Sequence, residues 1–206
     1  MKDYNNNFKN LPYVLLGIYT LVFIWSAYKP IDFNVWYVEA ITSAVSVVML
    51  AVMYYKKIRF SNLAYALAAV LPIMHVIGAH YTFASVPFDW FNNLIGSDRN
   101  MYDRVAHASV GLYSFVIAEG LIKYKLVSKN WVAYTLAIFS VMSLAAAYEI
   151  FEWWYAVSVN PEAGIEVLGS QGDIWDAQKD MLMDTLGGLS GVVLFKLKEV
   201  FYKRVN

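Results

Sequence analysis

VWYVEAITSAVSVVMLAVMYY, residues 35–55, followed at once by Lys56-Lys57-Ile58-Arg59, is the stretch that decides the fold. The hydrocarbon core of a bilayer is about 30 Å thick and an α-helix rises about 1.5 Å per residue, so about 20 mostly apolar residues make one crossing. Five further stretches of this kind lie to either side: Leu11 to Tyr28, Leu63 to Phe83, Val105 to Ile122, Trp131 to Val157 and Asp176 to Leu197. The first has no small-x-small cleavage site and is followed by more apolar segments, so it reads as a span rather than a signal peptide. The last opens with Asp176, Asp180 and Asp184 and turns apolar only from Leu182, so it crosses only if its acidic face is buried. The expectation is an all-α polytopic membrane bundle of about six helices, forming one integral membrane domain over residues 1–206.

Composition agrees. The chain is 59% hydrophobic and 16% charged, more apolar surface than a soluble core of this size absorbs. A net charge of zero gives no basic excess for nucleic acid. With no cysteine, disulfides, thiolate catalysis and Cys-ligated zinc are excluded. Cytoplasmic loops collect Lys and Arg, and of the 16 here only Lys29, Arg99, Arg104 and Lys179 fall on one side of a six-span topology. The other side takes Lys2, Lys9, Lys56, Lys57, Arg59, Lys123, Lys125, Lys129, Lys196, Lys198, Lys203 and Arg204. Both termini are therefore expected in the cytoplasm and the chain in the plasma (inner) membrane. Trp25, Trp36, Trp131, Trp153, Trp154 and Trp175 fall near span ends, as an interfacial aromatic belt requires. The longest outer connections are Ala84 to Arg104, read as a loop or interfacial helix, and Ser158 to Trp175, with Asn160-Pro161, Gly164, Gly169 and Gly172.

Under that topology the ionisable residues of the spans gather near the outer face. His75 and His80 end the third span, Asp103, Arg104 and His107 open the fourth, Glu149 and Glu152 end the fifth, and Asp173, Asp176, Asp180 and Asp184 open the sixth. Residues three or four apart share a helix face, which pairs Asp103 with His107 and Glu149 with Glu152 and makes Asp176, Asp180 and Asp184 one stripe. His75 and His80 are five apart, so only a loosened turn near Gly78 would aim both at one point. A charge at membrane depth costs roughly 2.5–3.5 kcal/mol on insertion scales, so this many acids require compensation by cations, protons or a metal. Carboxylate and imidazole on facing helices suit a divalent ion, Zn, Mn, Mg or Fe. The alternative is a structural or proton-bearing network, because spans also use these residues to hydrogen-bond across helices. Asp173 and Asp89, near loop ends, suit helix caps. Glu119, far along the fourth span, reads as interfacial, and Gly187 with Gly191 as a close helix crossing.

Tyr102-Asp103-Arg104-Val105-Ala106-His107, the run Tyr148 to Trp154, and the run Gln171 to Met181 with Asp184 and Gly187-Gly188 resemble the YjdF-type bacterial inner-membrane proteins, a family of unknown function. That resemblance covers most of the chain and implies a multi-span inner-membrane location without a reaction. A weaker likeness is to VanZ-like proteins, carried by Asp103, Arg104, His107, Glu149, Asp180 and Gly187, with Glu152 and Asp184 as departures. It implies work at the outer leaflet on envelope lipids or glycopeptide-related molecules. No G-x-S-x-G nucleophile motif is present. The resulting expectation is a metal-dependent hydrolase of a lipid or lipid-linked substrate. His107, Glu149, Asp180, Asp184 and Asp176 would be ligands, Glu152 or Asp103 the general base, and Arg104 an anchor for an anionic headgroup. His75, His80, Asp173 and Gln178 are further candidates. The other class is a proton- or ion-coupled transporter or a non-enzymatic envelope protein. Bareness of the inner half of each span and the lack of an inverted repeat weigh against transport.

Overall fold

The computed structural model describes residues 8–158 and 168–205, so Lys2 and the Asn160-Pro161 and Gly164 of the second outer connection lie outside the described residues. Everything regular among them is helical: α1 (Leu11–Ser26), α2 (Phe33–Tyr55), α3 (Asn62–Tyr81), α4 (Asp89–Ile95), α5 (Tyr102–Val110), α6 (Tyr113–Lys123), α7 (Asn130–Ser158) and α8 (Asp176–Val205). A single 3-10 turn, Phe83–Ser85, follows α3. Four rods are long and apolar enough to cross a membrane, namely α2, α3, the 22-residue unit Tyr102–Lys123 formed by α5 and α6, and α7. Large apolar side chains such as Leu21, Val45, Ile150 and Leu189 face outward, where only lipid solvates them without penalty.

Two expected spans differ from expectation. Helix α1 stops at Ser26, two residues early, because Lys29 enters the left-handed region (φ 52°) to turn the chain into α2. At 16 residues it is about 24 Å long. Helix α8 runs eight residues past the expected Leu197, since nothing in its Lys-rich end breaks the helix. The Ala84 to Arg104 connection does contain a short helix, α4. It turns Trp90 and Leu94 outward and buries Asn92, whose side chain accepts from the Met101 N–H at 3.0 Å. Asp89 is not its cap; Phe88 holds that position.

Small residues set how closely the rods approach. Between α5 and α6 the chain tightens, with Leu112 N–H bonding Ser109 O and Phe115 N–H bonding Leu112 O, both 3.1 Å. At that point Gly111 lies on the backbone of Gly187 and Gly188, and a Cβ on Gly111 or on Gly187 would collide with the facing main chain. Gly191 sits equally close to Ser114, whose hydroxyl donates to Gly188 O at 2.7 Å. The expected glycine crossing is therefore real, and its second half is contributed by Gly111. Helix α7 adds a stripe of buried Ala133, Ala137, Val141 and Ala145 at four-residue spacing.

Pro72 lies inside α3 and has no N–H, which frees the carbonyl of Ala68. The Tyr113 hydroxyl of α6 donates to it at 3.1 Å, while Ser43 of α2 donates to Pro72 O at 3.0 Å. An unsatisfied carbonyl at this depth would cost several kcal/mol. The hydrocarbon core, including Phe115 packed edge-on against Phe195 (5.3 Å), lies toward one end. There the basic connections meet: Lys123 Nζ donates to Arg59 O at 2.8 Å, and Lys198 pairs with Glu119 at 2.7 Å. Glu119, expected near the interface at the end of its span, is covered by its neighbours, and its carboxylate also accepts from Ser61, the N-cap of α3. The polar residues of α5, α7 and α8 occupy the opposite end.

Candidate functional site

Helices α5 and α8 build the site between them, one turn from the glycine crossing. Four-residue spacing turns Asp176, Asp180 and Asp184 inward, with Asp184 at 0% exposure, while Gln178 is turned out of the bundle. From α5, Asp103, Arg104 and His107 face them. Arg104 Nη2 lies 3.4 Å from Asp173 Oδ2 and also pairs with Asp176 Oδ1, and Nη1 pairs with Asp180 Oδ1. From the loop before α5, Arg99 Nη2 reaches Asp176 at 2.7 Å and Asp103 at 3.6 Å, and its Nη1 donates to Ser170 O at 2.6 Å. Arg104 is 4% exposed, and its Nη1 also donates to the Asp176 main-chain oxygen at 3.2 Å. The residue expected to anchor a headgroup thus pairs with Asp173, Asp176 and Asp180, and Asp176, expected as a ligand, is bound by two guanidiniums.

His107 is held differently. Its Nδ1 lies 3.1 Å from Asp184 Oδ2. Against an ionised Asp184, which only accepts, Nδ1 is the donor. Nε2 faces Asp103 Oδ1 at 3.7 Å and Asp180 Oδ1 at 3.8 Å, beyond hydrogen-bond range. Asp103, His107 and Asp180 thus offer three ligand atoms within 4.8 Å of one another. A carboxylate fixing the far nitrogen of a ligating histidine is the usual outer support of a metal site. Five carboxylates, on Asp103, Asp173, Asp176, Asp180 and Asp184, meet three cations, on Arg99, Arg104 and Lys179. Two negative charges remain beside a neutral His107, or one beside an imidazolium, for a divalent ion or protons to match. Asp184 Oδ1 and Glu149 Oε1 are buried and have no hydrogen-bond partner among the described residues.

Asp173 caps the approach to α8 by accepting from Trp175 N–H at 3.0 Å. The Lys179 ammonium, 2.6 Å from its Oδ2, holds this loop carboxyl below the ordinary carboxylate range.

The remaining candidates divide. Glu149 lies within electrostatic reach of His107, Asp180, Asp103 and Asp184. Glu152 lines a cavity of about 320 Å³ whose floor is Asp103, His107, Asp180 and Asp184 and whose walls include Val45, Met49, Val110 and Leu144. Val45, Met49 and Leu144 are exposed to the lipid-facing surface, and α2 and α7 are not among the closely packed helix pairs. The cavity is therefore a cleft open sideways between those two helices. His75 also lines it, with Nε2 2.7 Å from Glu39 Oε2, which accepts from Tyr148 Oη at 2.8 Å. Helix α3 stays regular past Gly78, so His80 points elsewhere, its Nδ1 3.0 Å from Ser26 O and its ring 4.4 Å from that of Trp25. Sequence reasoning passed over Glu39, Tyr148 and Arg99. The first was findable as the lone carboxylate in residues 35–55; Arg99 was findable as a cation one turn before Asp103.

Fold and site together define a multi-pass α-helical membrane protein with a buried acid, histidine and arginine network at one end of its bundle. The chain belongs to the family described as predicted membrane protein (DUF2238), which matches residues 11–199. It is 31% identical over 176 residues to the inner membrane protein YjdF of Escherichia coli (strain K12), across 84% of this chain and 83% of that one. No solved structure matches. The YjdF-type resemblance is thereby shown, and the likeness to VanZ-like proteins is not.

Proposed function

We propose that this protein is a metal-dependent hydrolase of a lipid or lipid-linked envelope substrate. It lies in the plasma membrane with six spans and both termini cytoplasmic, so its acid and histidine end faces the outer leaflet. The observation that carries this reading is His107. Asp184 orients it so that Nε2 converges with Asp103 and Asp180 at the floor of a cleft with apolar walls. A divalent ion held by those three residues would match the negative charge left uncompensated in the cluster and supply a bound water acidic enough to ionise near neutral pH. Glu152, lining the cleft, would accept a proton from the attacking water as the water oxygen bonds to phosphorus or carbonyl carbon, and would return it to the alcohol oxygen as the ester bond to that oxygen breaks. Arg99 and Arg104 hold the α8 acids in place. An acyl chain enters between α2 and α7.

The test is elemental analysis by mass spectrometry on protein purified in detergent without chelator. Near-stoichiometric divalent metal is expected, lost in Asp180→Asn and His107→Ala and weakened roughly 10–100-fold in Asp184→Asn, the usual cost of removing an outer support. Folded wild type that carries no metal and rebinds none sinks the metal reading. The Tyr148, Glu39 and His75 chain beside Glu152 favours the second reading in that event, a proton-bearing network in a transporter or accessory protein. Because the chain lacks cysteine, the single variants Lys129→Cys and Ser97→Cys test topology by labelling with an impermeant thiol reagent. Lys129→Cys labelled from outside the cell overturns the assignment.

A further inference from the structure

At the end of the bundle away from the acids, α1, α2 and α3 enclose a second apolar cavity, of about 360 Å³. Leu15, Leu16, Leu50, Ala51 and Ala69 wall it, with a rim of tyrosines. Tyr13, Leu16 and Tyr55 are exposed, so its mouth lies on the lipid-facing surface.

One side chain there is out of keeping with an ordinary lipid-facing groove. Arg59 lines the cavity with its guanidinium carbon 3.3 Å from the centre of the Tyr54 ring. Its Nη1 is buried and has no hydrogen-bond partner among the described residues. Among the described residues the lining contains no carboxylate. Glu119, the nearby acid, is already taken by Ser61 and Lys198. Stacking on the tyrosine face offsets part of the charge but leaves the N–H donor unmet. Lys56 and Lys57 on the same turn are exposed, and Lys123 is drawn in by its bond to Arg59 O. The groove thus combines an apolar channel with a cationic mouth that meets no anion among the described residues.

We propose that this groove binds one anionic phospholipid of the leaflet at the basic end, with an acyl chain between α1, α2 and α3 and the phosphate on Arg59. A planar guanidinium presents paired donors to phosphate oxygens, and Lys56 and Lys57 add attraction for a headgroup of net negative charge. Inorganic phosphate supplies the charge without the chain, and a zwitterionic lipid the chain without the net charge. Each satisfies half of the site.

Native mass spectrometry tests it, on the full chain in detergent with equimolar dioleoyl phosphatidylglycerol and dioleoyl phosphatidylcholine. Wild type is expected to retain one phosphatidylglycerol with about ten-fold preference, the worth of one charge-assisted hydrogen bond. Arg59→Gln is expected to abolish the preference. Ala51→Trp, which fills the groove from an exposed position and keeps the charge, is expected to abolish retention. Lys129→Gln, an exposed cation at the same end, is expected to leave both unchanged. The proposal is overturned by equal retention of the two lipids by wild type, or by equal losses in Arg59→Gln and Lys129→Gln. Competition by millimolar glycerophosphate as effective as phosphatidylglycerol overturns it as well. Should Arg59→Gln not fold, undiminished retention by folded Ala51→Trp has the same force.

Discussion

Replacing Gly111 by alanine tests whether a glycine crossing sets the geometry of the acid and histidine cluster. A Cβ there would lie against the carbonyl carbon of Gly187 and the nitrogen of Gly188, both rigid main chain, so no side-chain rotation relieves the contact. Restoring carbon–carbon separations of about 3.5 Å requires α5 and α8 to part by roughly 1–1.5 Å. His107 is one turn from Gly111 and Asp184 three residues from Gly187, so their 3.1 Å bond opens past about 4 Å and is lost. Overpacking costs about 1–3 kcal/mol and the charged hydrogen bond about 1.5–3 kcal/mol, a total of roughly 2.5–6 kcal/mol. For a chain of this length that is a fall in Tm of roughly 10 °C. Gly188→Ala is the control, because its Cβ would meet Val141 Cγ1 at 3.7 Å, an ordinary contact. Relief of a helix-interior glycine should make that variant neutral or up to about 1 kcal/mol more stable. Thermal unfolding of both in one detergent decides. Coincident curves for Gly111→Ala and Gly188→Ala would refute the reasoning.

Tyr113→Phe should cost about 1–3 kcal/mol by stranding the Ala68 carbonyl, and adding Pro72→Ala should recover most of it, because the new N–H bonds that carbonyl within α3; a double-mutant cycle with no coupling would contradict this. Lys198→Met should cost about 3–5 kcal/mol by leaving Glu119 buried without its cation, and Glu119→Gln in the same chain should restore much of the loss, read from Tm. Asp173 has a depressed folded-state pKa, so its contribution is whole above the unfolded value of about 3.9 and is lost as pH falls through the lower folded value. The stability gap between wild type and Asp173→Asn, measured by chemical unfolding, should therefore hold from pH 7 to about 4 and then narrow; a gap that widens in acid would contradict the sign.

Helix content and the separation of basic from acidic ends were legible because both follow from the composition of single segments. Val35 to Tyr55 is apolar over the length of a crossing, and the four-residue spacing of Asp176, Asp180 and Asp184 needs no partner to be read as one face. The pairing of that face was not legible. Whether Arg104 meets a substrate or three carboxylates depends on how near α8 approaches α5, which Gly111 and Gly187 decide jointly across 76 positions of sequence. The cover over Glu119 was not legible for the same reason, since depth along a helix says nothing of which neighbour packs on it. His80 was separated from His75 by the helix persisting through Gly78, where phase alone made a shared site improbable.

The acidic half of α8 ties fold to site. With Asp176, Asp180 and Asp184 in its first nine residues, this helix falls short of an apolar crossing on composition, unlike α2, α3, the α5–α6 unit and α7. It is accommodated because Arg99, Arg104 and His107 meet those acids from the α5 side while Gly187 and Gly191 let the main chains touch. The side chains that would hold a metal therefore also help to hold α8 in the bundle. Loss of metal in Asp180→Asn has two causes, a missing ligand or a displaced helix, whereas Asp184→Asn keeps the Arg104 contacts and alters only the bond that orients His107. A metal affinity that falls in Asp184→Asn while stability drops by no more than about 1.5–3 kcal/mol, the worth of that one bond, separates the chemistry of the cluster from its part in packing.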